Sequence, residues 1–218
     1  MLLAVVLDLA LALACGLGAP GASSADDELF TAVLRAPPGE AAELALATLR
    51  ANPVLEPGDL ETVWGFVQRE LAALRLVETE PLLAALHERY RAPWTAVNLA
   101  LVRQKLGDYR AVDALFEATV RAERRRGNAT GGLTSQWGIL VLGTGDEARA
   151  RTLLERAYAL GSDDAAVVLA RWDLALDRPR TARRRVRALM LSPEPPAWAQ
   201  RTWGLALLTP RRPLSDLK

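Results

Sequence analysis

Three short segments constrain the fold more than anything else in the chain: Gly107-Asp108-Tyr109, Gly145-Asp146-Glu147 and Asp177-Arg178-Pro179. They start 38 and 32 residues apart, and each opens a stripe of apolar residues. The stripes are Val112, Phe116 and Val120, then Ala150, Leu154 and Ala157, then Ala182, Val186 and Leu189. Residues three and four apart share one face of a helix, so each segment begins an amphipathic helix. Upstream of each opening stands a bulky residue followed by a small one: Leu99-Ala100, Trp137-Gly138 and Leu169-Ala170. Trp64-Gly65 and Trp203-Gly204 repeat that pair toward the two ends. The bulky residue fills the groove between two paired helices, and the small one lets the partner helix approach. A pair of this kind leaves one face bare, so neighbours must stack to bury it.

Proline and glycine divide the rest of the chain into similar segments. The periodicity predicts helices over 27–36, 40–51, 59–76, 80–91, 93–106, 109–126, 132–142, 146–160, 164–176, 179–191 and 196–208. Pro81 serves in this reading as a boundary. The segment 121–132, with Arg124-Arg125-Arg126-Gly127-Asn128, is expected to lengthen one unit into a mobile loop. Composition agrees with an all-α chain. Half of the residues are hydrophobic and only 6% are aromatic, with alanine and leucine supplying most of the apolar mass. Both are strong helix formers.

The unit Trp94, Leu99-Ala100, Gly107-Asp108-Tyr109 and the unit 145–161 resemble the tetratricopeptide repeat family. That family carries Trp, Leu-Gly and Tyr on its first helix and Ala, a bulky residue and Ala on its second. The likeness is strongest over 93–160, weaker over 163–210 and loosest over 27–91. Val112 and Thr119 stand where the family has alanine. The resemblance implies a right-handed α-solenoid of antiparallel helical hairpins over 27–209, followed by a flexible tail, 210–218. It also implies an inner, ligand-facing surface built by the first helix of each pair. On that basis the partner-binding candidates are Trp94, Asn98, Leu101, Gln104, Lys105, Ser135 and Arg171, with Ile139 and Leu142 beside them. The lysine, asparagine and arginine clamp that some members use for a peptide carboxylate is not reproduced; Asn98 and Lys105 alone hint at it.

Residues 1–25 read as a targeting segment. Met1–Gly18 is almost wholly apolar, but it is shorter than the ~20 residues that span a bilayer. Its length suits a secretory signal, and Ser23-Ser24-Ala25 offers a cleavage site. Asp8 within the apolar run and the lack of a preceding Lys or Arg depart from that pattern. Ala12-Leu13-Ala14-Cys15, followed by a Gly/Ala/Ser/Pro tether, supports a second reading in which Cys15 is lipidated. Both place the protein in a bacterial envelope, in the periplasm or anchored to a membrane.

Cys15 is the one cysteine and His87 the one histidine. An intramolecular disulfide and a cysteine-based metal site are thereby excluded, and His87 reads as an ordinary surface or boundary residue. No nucleophile elbow or phosphate loop is present. No catalytic, metal or cofactor residue is assigned, and the chain is expected to be no enzyme. Charge is unevenly spread: residues 1–109 carry 8 basic and 14 acidic groups, residues 110–218 carry 19 and 12. The densest run spans 178–187. At about 100° per residue, Arg180, Arg183, Arg184 and Arg187 share a stripe opposite Ala182, Val186, Leu189 and Met190. Its competing readings are a solvated face and a surface for an anionic membrane, an acidic protein or a second copy of the chain. Nucleic acid suits the charge but not an exported protein. The sequence thus leads to a non-enzymatic envelope scaffold that binds a protein or peptide in its concave groove. A membrane-peripheral assembly factor, held by Cys15 lipid or by the arginine stripe, is the alternative.

Overall fold

The computed structural model describes residues 32–209, apart from Leu34, Pro53 and Glu56. The targeting segment with Cys15, most of the helix expected over 27–36, and the tail 210–218 lie outside the described residues. The rest is all-α, with no strand among the described residues. Among the described residues ten helices follow one another: α1 Pro38–Ala51, α2 Pro57–Ala72, α3 Leu76–Tyr90, α4 Pro93–Lys105, α5 Tyr109–Arg125, α6 Gly131–Gly143, α7 Glu147–Ala159, α8 Asp163–Ala175, α9 Pro179–Met190 and α10 Ala197–Leu208.

The joints explain why the three opening segments recur. Each joins a stop to a start. Gly107 takes a left-handed φ of 87°, its N–H donates to the Gln104 carbonyl, and the Asp108 N–H donates to the Arg103 carbonyl. That pair of bonds closes α4 as a Schellman motif. The Asp108 side chain then accepts from the Ala111 N–H at 3.1 Å and starts α5. Gly161 closes α7 in the same way, and Ser162 caps α8 through the Ala165 N–H at 3.3 Å. At 177 the left-handed position is held by aspartate, φ 59°, and Pro179 opens α9. A side-chain oxygen at the cap satisfies an N–H that has no partner within the helix. Two residues therefore suffice to reverse the chain's role, and the loops stay short.

Two compact units divide the described residues, with the boundary inside α5 near Arg121. In the first, α3 packs on α1, α2 and α4. Phe66, Val67, Leu82, Leu83 and Leu86 are buried there. Trp64 of α2 meets Trp94 of α4 edge to face, with ring centroids 4.6 Å apart. Arg89 donates to the Leu49 and Asn52 carbonyls and so closes the end of α1. The second unit is built by consecutive contacts α6–α7, α7–α8, α8–α9 and α9–α10, and by contacts between alternate helices, α6–α8 and α8–α10. Its end is cored by Val167, Ala170, Ala182, Val186 and Ala206, with Leu174, Leu189, Trp198 and Trp203 against them. The expected stripes are buried: Ala150, Leu154 and Ala157 of α7 are fully enclosed, as are Ala182 and Val186 of α9.

Three expectations are corrected. Pro81 lies inside α3 and opens nothing. It is on the exposed face near the helix start, and the carbonyl it leaves without a donor belongs to the exposed Val77. The segment 121–132 is not an extended loop, because α5 runs to Arg125 and α6 begins at Gly131. The turn between them is tied down by Glu123, which is buried and accepts from both Arg126 and Asn128. Finally, the Trp-Gly pairs are not equivalent. A methyl group at Gly138 would lie 2.9 Å from Leu154 Cγ and 3.3 Å from the Ala150 carbonyl, so α6 and α7 need glycine there. At Gly65 and Gly204 a methyl group would meet nothing within 4 Å.

Candidate partner-binding surface

The candidate residues separate by burial. Asn98 is 2% exposed and its amide donates to the Trp94 carbonyl at 2.8 Å, one turn back on α4. Ser135 on α6 is fully enclosed, and its hydroxyl has no hydrogen-bond partner. Neither presents a side chain to solvent. Ile139 and Leu142 are likewise core residues. Trp94, Leu101, Gln104 and Arg171 are half-buried and Lys105 is exposed. Within the first unit, the accessible members are therefore Trp94, Leu101, Gln104 and Lys105 on α4. The second unit retains Arg171 on α8.

Arg171 is in an unusual setting. Burial pushes its guanidinium pKa down, and the positive charge of Arg201 on α10 pushes it further. Neither arginine takes part in an ion pair among the described residues. Arg201 was missed in the sequence, although its position on a first helix of the repeat pattern would have placed it beside Arg171. Asp164, about two turns earlier on α8, has its carboxyl pKa raised, first by burial and then by Asp163.

The arginine run splits into two groups. Arg185 turns inward, with its side chain 11% exposed. Its Nε donates to Asp173 of α8 at 2.7 Å, and its two terminal nitrogens grip Glu155 of α7 at 2.9 and 2.6 Å. The same guanidinium lies 5.4 Å from the Tyr158 ring centroid. One side chain thus ties α9 to both preceding helices. Arg183, Arg184 and Arg187 turn outward and line an open depression with Trp203 and Leu207 of α10. Arg180 is exposed on the same helix but does not line it.

His87 is structural. It is 9% exposed, and its Nδ1 lies 2.9 Å from the Thr95 hydroxyl. That hydroxyl gives its own proton to the Ala92 carbonyl at 2.7 Å. Nδ1 must then be the donor, and the imidazole is the neutral Nδ1–H tautomer. Its pKa is lowered, first by burial and then by Arg91 and Arg103. No cluster of three or more His, Cys, Asp or Glu side chains able to hold a metal occurs among the described residues. No described helix is long and apolar enough to cross a membrane.

Set against known proteins, the chain matches no family model, no curated protein and no solved structure.

Proposed function

We propose that the chain is a non-enzymatic helical-repeat scaffold of the bacterial envelope, a right-handed stack of antiparallel hairpins of tetratricopeptide type. It binds a protein or peptide through the face built by α6, α8 and α10. The contacts α6–α8 and α8–α10 support the stack, since in such an array the first helices of successive pairs touch one another along the inner face. The observation that carries partner binding is the half-buried Arg171 beside Arg201. Two guanidiniums close enough to repel, neither in an ion pair among the described residues, favour an incoming anion, and guanidinium geometry suits a bidentate carboxylate. The acidic group is supplied by the partner, as a side chain or a chain terminus. The composition of residues 1–25 supports export.

A photo-crosslinking residue at position 201, introduced in the native host, tests this reading. It is expected to capture a protein partner, and Arg171→Ala is expected to abolish the adduct. The same probe at Arg156, exposed on α7, is expected to capture none. Equal adducts from 156 and 201, or adducts indifferent to Arg171→Ala, reject the assigned face.

A further inference from the structure

The end of the second unit carries a surface of another kind. Leu205, Leu207 and Leu208 form the last turn of α10 and are 50%, 56% and 81% exposed. At about 100° per residue they fall within one arc of about 160°. The helix is held to the core by Ala199, Thr202 and Ala206, and that arc lies opposite them. Leu207 shares its depression with Arg183, Arg184, Arg187 and the half-buried Trp203. None of these three arginines takes part in an ion pair among the described residues.

We propose that this surface docks on an anionic lipid bilayer. Leu205, Leu207 and Leu208 enter the boundary between headgroups and acyl chains. Arg183, Arg184 and Arg187 meet lipid phosphates, and Trp203 lies at headgroup depth, where its amphipathic ring is favoured. The pattern favours a bilayer: an exposed apolar arc edged by three arginines without ion pairs among the described residues and by a tryptophan is that of an amphipathic helix lying at a lipid interface. Attachment is peripheral, and it is independent of the partner face assigned to α6, α8 and α10.

Co-sedimentation of the full chain, carrying Cys15→Ser, with phosphatidylcholine vesicles containing or lacking 30% phosphatidylglycerol tests the docking. The apolar residues near the N-terminus are present throughout, so the readout is the difference between anionic and neutral vesicles. Binding is expected to favour anionic vesicles and to weaken as salt rises. An arginine near an anionic surface contributes roughly fivefold, so Arg183→Ala, Arg184→Ala and Arg187→Ala together are expected to remove on the order of 100-fold. Leu207→Ser with Leu208→Ser is expected to lower anionic binding by about tenfold or more. The exposed pair Arg184→Glu and Arg187→Glu, which disturbs no packing, is expected to act in the same direction should the triple variant fold poorly. Arg110→Ala, Arg124→Ala and Arg156→Ala, an equal change of charge at other exposed positions, is expected to bind nearly as wild type. Equal binding to both vesicle types, an equal loss in that control, or unchanged binding after the arginine and leucine substitutions overturns the proposal. So does a wild-type dimer that the leucine substitutions dissolve, which would make a second copy the occupant.

Discussion

Within the second unit, the seam between α6, α7, α8 and α9 and the end formed by α9 and α10 use the same residue types to opposite effect. In the seam, Arg185 is buried among Asp173, Glu155 and Tyr158, and Gly138 faces a contact too close for a methyl group. At the end, Arg183, Arg184 and Arg187 face outward and Gly204 has open space where a Cβ would stand. Arg184 and Arg185 are adjacent on one helix; Trp137-Gly138 and Trp203-Gly204 are the same dipeptide. What differs is the neighbour. A side chain that faces a neighbouring helix is absorbed by packing, and one that faces away from it is left free to meet something else.

The comparison is most severely tested at Arg185. Arg185→Ala leaves Asp173, 2% exposed, as a buried carboxylate without its cation. Removing one partner of a buried pair destabilises by ~3–5 kcal/mol. Arg184→Ala is expected to fall within about 0.5 kcal/mol of wild type, as exposed substitutions usually do. Urea midpoints of the two variants measure the contrast. Similar midpoints would mean that Arg185 is not the tie between α9 and the helices before it.

The glycines give a smaller effect whose sign reverses. Gly138→Ala places a Cβ against the Cγ branch of Leu154 and the Ala150 backbone, and overpacking of this kind destabilises by ~1–3 kcal/mol. Gly204→Ala and Gly65→Ala add a methyl group in open space inside a helix, and relieve the entropic penalty of glycine there. They are expected to stabilise by ~0.5–1 kcal/mol. Thermal melts of the three variants decide it, and destabilisation by Gly204→Ala would place a close neighbour at α10.

The helices and the buried stripes of α5, α7 and α9 were legible because both follow from local rules. A glycine before a capping side chain marks a joint, and a 3.6-residue period marks a buried face. The Trp-Gly pairs misled because the dipeptide records only that a close approach is permitted. Whether a helix comes near depends on the three-dimensional neighbours, and these differ between Gly138 and Gly204. Arg185 was hidden by its charged surroundings in the sequence. On a wheel centred on Ala182 and Val186 it lies on the flank opposite Arg183 and Arg187, next to the apolar stripe. That flank was the available signal, and its partners Glu155 and Asp173 are 30 and 12 residues away. Among the groove candidates, Asn98 and Ser135 were polar and on the expected helices, but polar residues on a first helix also serve buried contacts. Pro81 misled for the opposite reason: near a helix start on an exposed face, proline costs little.

The smallest expected effect extends the comparison to the first unit, where a titratable side chain has likewise been taken over by packing. His87 is held neutral between α3 and α4 by burial and by Arg91 and Arg103, with Glu88 opposing them weakly. Its folded pKa lies below the ordinary histidine value of 6.5. As pH falls below 6.5, the unfolded chain takes up the proton before the folded one does. Stability from this residue is then fully present above 6.5 and is lost as pH drops through the folded value. Glu70 and Glu123 have lowered carboxyl pKa values, Glu70 chiefly through its hydrogen bond to Arg75 and Glu123 through that to Asn128. They add losses of the same sign only at lower pH, below their ordinary value of 4.5. Asp164, with a raised pKa, acts in the other direction. A decline in the urea midpoint between pH 6.5 and 5 is therefore assigned to His87. His87→Gln keeps a donor for Thr95 and removes the titration, so its midpoint is expected to stay level across that interval. A slope equal to wild type would mean that His87 does not carry the decline.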